Sequence, residues 1–186
     1  MIRPESASDE DIMRQVRAGD VSLVGLLFER HHRRLFRFFW RMTRQVQTSE
    51  DLVQEVFMRV LRHRETFREG NAVGPWLISI ARNAHHDGWR RKRLERPMED
   101  GFDAAAPPGI PIERRQELAR LAAALDTLPA EQREIIVFHR YLGMSHAEIA
   151  ETLGCDEGAS RGRLHRALQN LRQAFLAAAP AMRRVV

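Results

Sequence analysis

The chain has 186 residues, with 30 Lys+Arg against 25 Asp+Glu for a formal net charge of +5, and 44% hydrophobic residues. That apolar content supplies packed cores and excludes a wholly disordered chain. Its single cysteine, Cys155, excludes an internal disulfide framework and any zinc site built on paired cysteines. No apolar run approaches the ~20 residues of a membrane span, and the acidic start Asp9-Glu10-Asp11 lacks the apolar stretch of a secretion signal. A cytoplasmic protein without membrane insertion is therefore expected.

Ser8 is placed to cap a first helix, with acids filling its first turn ahead of Ile12 and Val16. Gly19-Asp20 breaks the chain before a long segment from Val21 to about Thr43. Within it Phe36, Phe38, Phe39 and Trp40 read as core, and the interleaved Arg33, Arg34, Arg37, Arg41 and Arg44 read as solvated surface. Thr48, with Asp51 three residues on, has the spacing of a capping box. The helix it opens carries Leu52, Val53, Val56, Phe57, Val60 and Leu61 on one face, and Asp51, Gln54, Glu55, Met58 and Arg62 on the other. A loop over 69–74 follows, and Pro75 sits where a helix would begin. Arg82, Asn83, His86 and Arg90 share one face of that helix, ahead of the basic run Arg90-Arg91-Lys92-Arg93. Guanidinium and amide groups in such an array suit base edges and phosphates.

From 97 to 113 the composition changes to four acids, four prolines and no base. Proline removes backbone donors and resists helix, so this stretch reads as a flexible acidic linker. The expectation is an all-α protein of two small helical domains, 1–96 and 114–186, joined by the linker 97–113.

In the second domain, Leu118, Leu121, Ala122 and Leu125 mark one helix, and Pro129 starts another that Gly143 ends. Ser145 and Glu148 then form a capping-box pair at the start of a two-turn helix closed by Gly154. Asp156 is placed to cap a longer helix with the apolar stripe Leu164, Leu168, Leu171 and Phe175. This is a helix-turn-helix pattern. From Gly158 to the end there are six arginines and no acid, and Arg161, Arg163, His165 and Arg166 lie off the buried stripe, as a DNA-reading face requires.

Catalytic constellations are lacking. No nucleophile elbow, phosphate-cradling glycine loop or H-E-x-x-H motif occurs. The pairs His31-His32 and His85-His86 are adjacent in sequence, and neighbours point to different helix faces, so no metal site is expected. An enzyme, a cofactor and a small-molecule substrate are all unexpected.

Three stretches, S-E-D-L-V-Q-E-V-F at 49–57, P-W-L-I-S-I-A-R-N at 75–83 and H-A-E-I-A-E-T-L-G at 146–154, resemble in this order the bacterial RNA polymerase sigma factors of the extracytoplasmic-function type, a branch of the sigma-70 family. The resemblance implies that Asp51, Gln54 and Glu55 dock on the clamp of the largest subunit of core polymerase. It implies that Phe67, the loop containing Asn71, and Asn83 capture the melted −10 strand, and that Arg161, Gly162, His165 and Arg166 enter the −35 duplex. Core RNA polymerase, promoter DNA and an anti-sigma factor are the implied partners. The chain departs from the family where the reading helix usually begins G-T-V-[KR]-S-R. Here it reads Gly158-Ala159-Ser160-Arg161-Gly162-Arg163, with Ser160 at a position expected to pack under the turn. The alternative reading is a stand-alone helix-turn-helix regulator, which has no need of the polar D-L-V-Q-E-V-F face.

Overall fold

A computed structural model describes residues 7–95 and 111–178, with the side chains of 89–95 and 113 outside the description. Most of the expected linker, 97–113, and the side chains of the basic run beginning at Arg90 therefore lie outside the described residues. Those described fold into helices, and no strand occurs among them.

Helix α1 (Asp9–Arg17) starts as expected, the Ser8 hydroxyl accepting from the Asp11 backbone N–H at 3.1 Å. A short 3-10 turn at Val21–Leu23 leads into α2 (Val24–Thr43), which buries Leu27, Leu35, Phe38, Phe39 and Met42. Arg44 then takes a left-handed φ of 57°, reversing the chain without a glycine. This costs a non-glycine residue roughly 1–2 kcal/mol, and it moves the start of α3 (Val46–His63) two residues ahead of the expected Thr48 cap. Thr48 instead lies inside the first turn, its hydroxyl donating to Gln45 Oε1 at 2.8 Å. The apolar face of α3 is the expected one, with Val53, Val56, Phe57 and Val60 buried.

Helix α4 (Val73–Glu95) likewise begins before Pro75. Its opening is fixed at long range, since the Val73 N–H donates to Glu10 Oε1 of α1 at 3.1 Å. A carboxylate there both satisfies an orphan donor and faces the positive end of the helix. Pro75 falls in the first turn, where a missing N–H costs nothing.

The second unit comprises α5 (Ile112–Asp126), α6 (Ala130–Ile136), a π-turn at Val137–Tyr141, α7 (His146–Leu153) and α8 (Glu157–Ala177). Gly143, at φ 66°, ends the π-turn segment. Both ends of the helix-turn-helix match the expectation. The capping box of Ser145 and Glu148 is complete, and Gly154 takes φ 62°. Asp156 accepts from Ala159 N–H at 2.7 Å. Leu118 departs from its expected stripe and is 40% exposed.

The two units share one continuous apolar core. Phe38 of α2 stacks on Phe138 of the π-turn at 5.6 Å and 25°. Here the reading of the α2 arginines needs correction. Arg34 donates to the Leu142 carbonyl at 3.4 Å, and the Arg41 guanidinium lies 4.1 Å from the Tyr141 ring. Arg44 approaches Asp126 at 3.9 Å. All three are half-buried by the second unit, whereas Arg33 and Arg37 are exposed as expected. Burial pulls the Arg41 guanidinium below its ordinary pKa, opposed by Tyr141.

Candidate polymerase and nucleic-acid interfaces

On α3, Asp51 and Gln54 are exposed on the face opposite Val53 and Val56. Asp51 is lightly held, accepting from Gln47 Nε2 at 3.1 Å. Glu55 is engaged more firmly. It accepts from Arg59 Nε at 2.7 Å, and Arg59 also donates to Asp87 of α4 at 2.8 Å. Burial opposes the Arg59 charge, but the two carboxylates hold its pKa above the ordinary value. Beside Gln54 runs an open groove of about 520 Å³, walled by Phe28, Phe36 and Val53 and rimmed by Arg33, Arg37 and Glu50. An apolar floor with a charged rim is the anatomy of a protein-docking surface.

The α4 face is divided. Asn83 is exposed and lines a second cavity of about 570 Å³ between α3 and α4, with Arg59, His63, Trp76, His86 and Asp87 around it. Arg82 and His86 turn instead to Glu134 of α6. Arg82 Nε donates to Oε2 at 2.9 Å, and His86 Nε2 is hydrogen-bonded to Oε1. Glu134 is 1% exposed, so these two partners are what make its burial tolerable. His85, one residue earlier, is 8% exposed, with its ring 6.3 Å from Phe38. Burial, reinforced by the charges of His86 and Arg133, pushes its pKa down to about 4.

Two of the expectations at this face change, those for Phe67 and for the His85–His86 pair. Phe67 is 3% exposed and packs edge-on against Trp76 at 5.2 Å, so its ring is core and has no face for a base. Asn71 is half-buried in the loop after Gly70, its backbone N–H donating to the Arg68 carbonyl at 3.2 Å. His85 and His86, expected to diverge, both lie near Glu134, because the fold brings the α6 carboxylate to them from the second unit. Glu134 itself went unnoticed in sequence. Its signal is an acid at the head of the apolar run Ile135-Ile136-Val137-Phe138.

On α8, Arg161, Arg163, His165 and Arg166 are all exposed along the N-terminal half of the helix. Arg161 is tied to Glu157 at 2.7 Å and His165 to Gln169 at 2.9 Å, both within the helix and at the surface. A Cβ at Gly162 would meet nothing within 4 Å, so the backbone there is open. Ser160 is completely buried, and its hydroxyl is hydrogen-bonded to His146 Nδ1 of α7 at 3.1 Å. The polar substitution under the turn is thus matched by a polar partner.

Comparison with known proteins gives these surfaces a context. Residues 27–95 match the family model for sigma-70 region 2, and 118–171 match sigma-70 region 4. The chain is 35% identical over 163 residues to the RNA polymerase sigma factor CarQ of Myxococcus xanthus, spanning 87% of this chain and 94% of that one. It is 35% identical over 161 residues to the ECF sigma factor SigL of Mycobacterium tuberculosis, spanning 83% and 90%. Among solved structures, CnrH in complex with the cytosolic domain of CnrY superposes with a TM-score of 0.71 at 28% identity, covering 92% of this chain and 99% of that chain. The sigma factor RpoE of Bartonella quintana, in complex with the anti-sigma factor NepR, does so at 0.68 and 25%, covering 84% and 98%. Among the described residues, no helix is long and apolar enough to cross a membrane.

Proposed function

The chain belongs to the extracytoplasmic-function sigma factors of the sigma-70 family, which direct core RNA polymerase to promoters, and from that premise we propose how its surfaces divide the work. Asp51, Gln54 and Glu55, with the adjoining groove, dock on core polymerase. Asn71, Arg82, Asn83, His86 and Arg90 hold the melted −10 strand. Arg161, Gly162, Arg163, His165 and Arg166 read the −35 duplex. The domains follow those drawn from sequence, 1–96 and 114–186 around a tether within 97–113, with α5 reaching back to Ile112, and the protein works in the cytoplasm.

The observation that carries this reading is the exposed α8 face, rich in arginine and free of acid after Glu157, on the same chain as the polar face of α3, where Asp51 and Gln54 are exposed. A stand-alone regulator needs the first and has no use for the second. Catalysis plays no part. The protein acts by binding duplex at one site and single strand at another, and the second helps offset the cost of unstacking. The described arrangement is closed, with Arg82 and His86 committed to Glu134, so −10 binding requires the two units to part. A solved relative sits in complex with an anti-sigma factor, which supports a similar partner here that favours the closed form.

In vitro transcription with purified core polymerase on promoter fragments tests the reading. Promoter-specific transcripts that appear only when this chain is added are expected. Failure to associate with core polymerase in native mass spectrometry would overturn it.

A further inference from the structure

We propose that His85, His86 and Glu134 form a binding site for a divalent transition-metal ion that bridges the two helical units. Each offers one ligand atom, and the three atoms lie within 4.8 Å of one another. Donors bound to one zinc-like ion at its usual bond lengths sit about 3.3 Å apart, so side-chain adjustment suffices to close the set. His86 Nε2 and Glu134 Oε1 are already in hydrogen-bond contact and need only separate slightly to admit an ion.

His85 supplies a second, independent observation. The residue is buried, and among the described residues its Nδ1 has no hydrogen-bond partner. A buried ring nitrogen left unpaired is a standing cost that few native sites carry without a reason. Arg82 does not block the site. It holds Oε2 and leaves Oε1 toward His86, as an outer hydrogen bond orients a coordinating carboxylate. Two imidazoles and one carboxylate suit Zn²⁺, Ni²⁺, Co²⁺ or Cu²⁺ rather than Mg²⁺ or Ca²⁺, whose sites are built from oxygen. Water would complete the coordination.

Two ligands come from α4 and the third from α6. An ion held by all three ties the units together and withholds His86 from any other partner. This inference stands on the three side chains and does not depend on which DNA the protein reads.

The test uses the full chain, stripped with chelator and titrated with Zn²⁺ alone, followed by calorimetry and by metal analysis after desalting. One equivalent bound is expected, with an accompanying rise in Tm. His86→Gln, which keeps an amide donor for Glu134, should weaken binding by at least roughly tenfold and abolish the Tm rise. Glu134→Gln should weaken it as much, while Cys155→Ser leaves it unchanged. Absence of stoichiometric uptake would overturn the proposal, as would full binding by His86→Gln. Loss in His86→Gln with full binding by Glu134→Gln would overturn the bridge.

Discussion

Arg82 Nε lies 2.9 Å from Glu134 Oε2, so a cation on the proposed −10 face neutralises a carboxylate buried in the other half of the molecule. Glu134→Gln keeps the shape and removes the charge. We expect a loss of about 1–3 kcal/mol in stability, together with a several-fold rise in affinity for a −10 single strand, read by fluorescence anisotropy. Unchanged affinity would mean that Arg82 and His86 do not contact the strand.

Asp51→Arg probes the polymerase face more cleanly than a change at Glu55, which also holds Arg59 against Asp87. Asp51 has only a surface bond to Gln47 at stake. Its reversal should leave Tm within about 2 °C, since exposed changes cost under ~0.5 kcal/mol. Core-polymerase binding in a pull-down should fall at least tenfold, while affinity for a −35 duplex stays the same.

Gly162→Ala separates stability from recognition. With open space where the methyl would go, the helix gains about 1 kcal/mol, visible as a higher denaturant midpoint. If α8 enters the groove through this point, the added methyl lowers −35 affinity even as the fold tightens. A gain in both would move the reading face elsewhere on α8.

Ser160→Ala removes a fully buried hydroxyl and leaves His146 Nδ1 without its partner. A cost of about 1–2 kcal/mol is expected in urea unfolding. Replacing both residues with apolar ones should recover most of it, and a double-mutant cycle measures the coupling.

Asp9 supplies a pH test. Burial raises its pKa, but the hydrogen bonds and charges of Arg30 and His31 outweigh that and bring it below 3.8. The folded value is therefore the depressed one, so its contribution is present above the unfolded pKa and is lost as pH falls through the folded one. Asp9→Asn should lower the urea midpoint near pH 6 and flatten its decline below about pH 4.

What was legible in sequence was local. The caps at Ser8, Ser145 and Asp156 each bond a backbone N–H three residues on, so residue identity and spacing suffice. The start of α3 was missed because Arg44 adopts a conformation that glycine usually signals. The start of α4 was missed because its cap, Glu10, lies 63 residues away. Phe67, the α2 arginines and the His85–His86–Glu134 cluster escaped for a related reason. Their surroundings are set by how one unit packs on the other, which no single helix period records. Of the proposed sites, the polar α3 face and the α8 arginines were readable because exposure follows amphipathic pattern, whereas the engagement of Arg82 and His86 required the fold.

The Phe38–Phe138 stack makes opening energetically expensive, since both rings are fully buried in the shared core. Exposing even part of each costs on the order of 1–2 kcal/mol. Any ligand that engages only the open form must supply that free energy from its own contacts, and its apparent affinity is reduced by the scarcity of open molecules. Trimming either ring to a smaller apolar side chain would therefore strengthen such a ligand's apparent binding without touching a single residue it contacts.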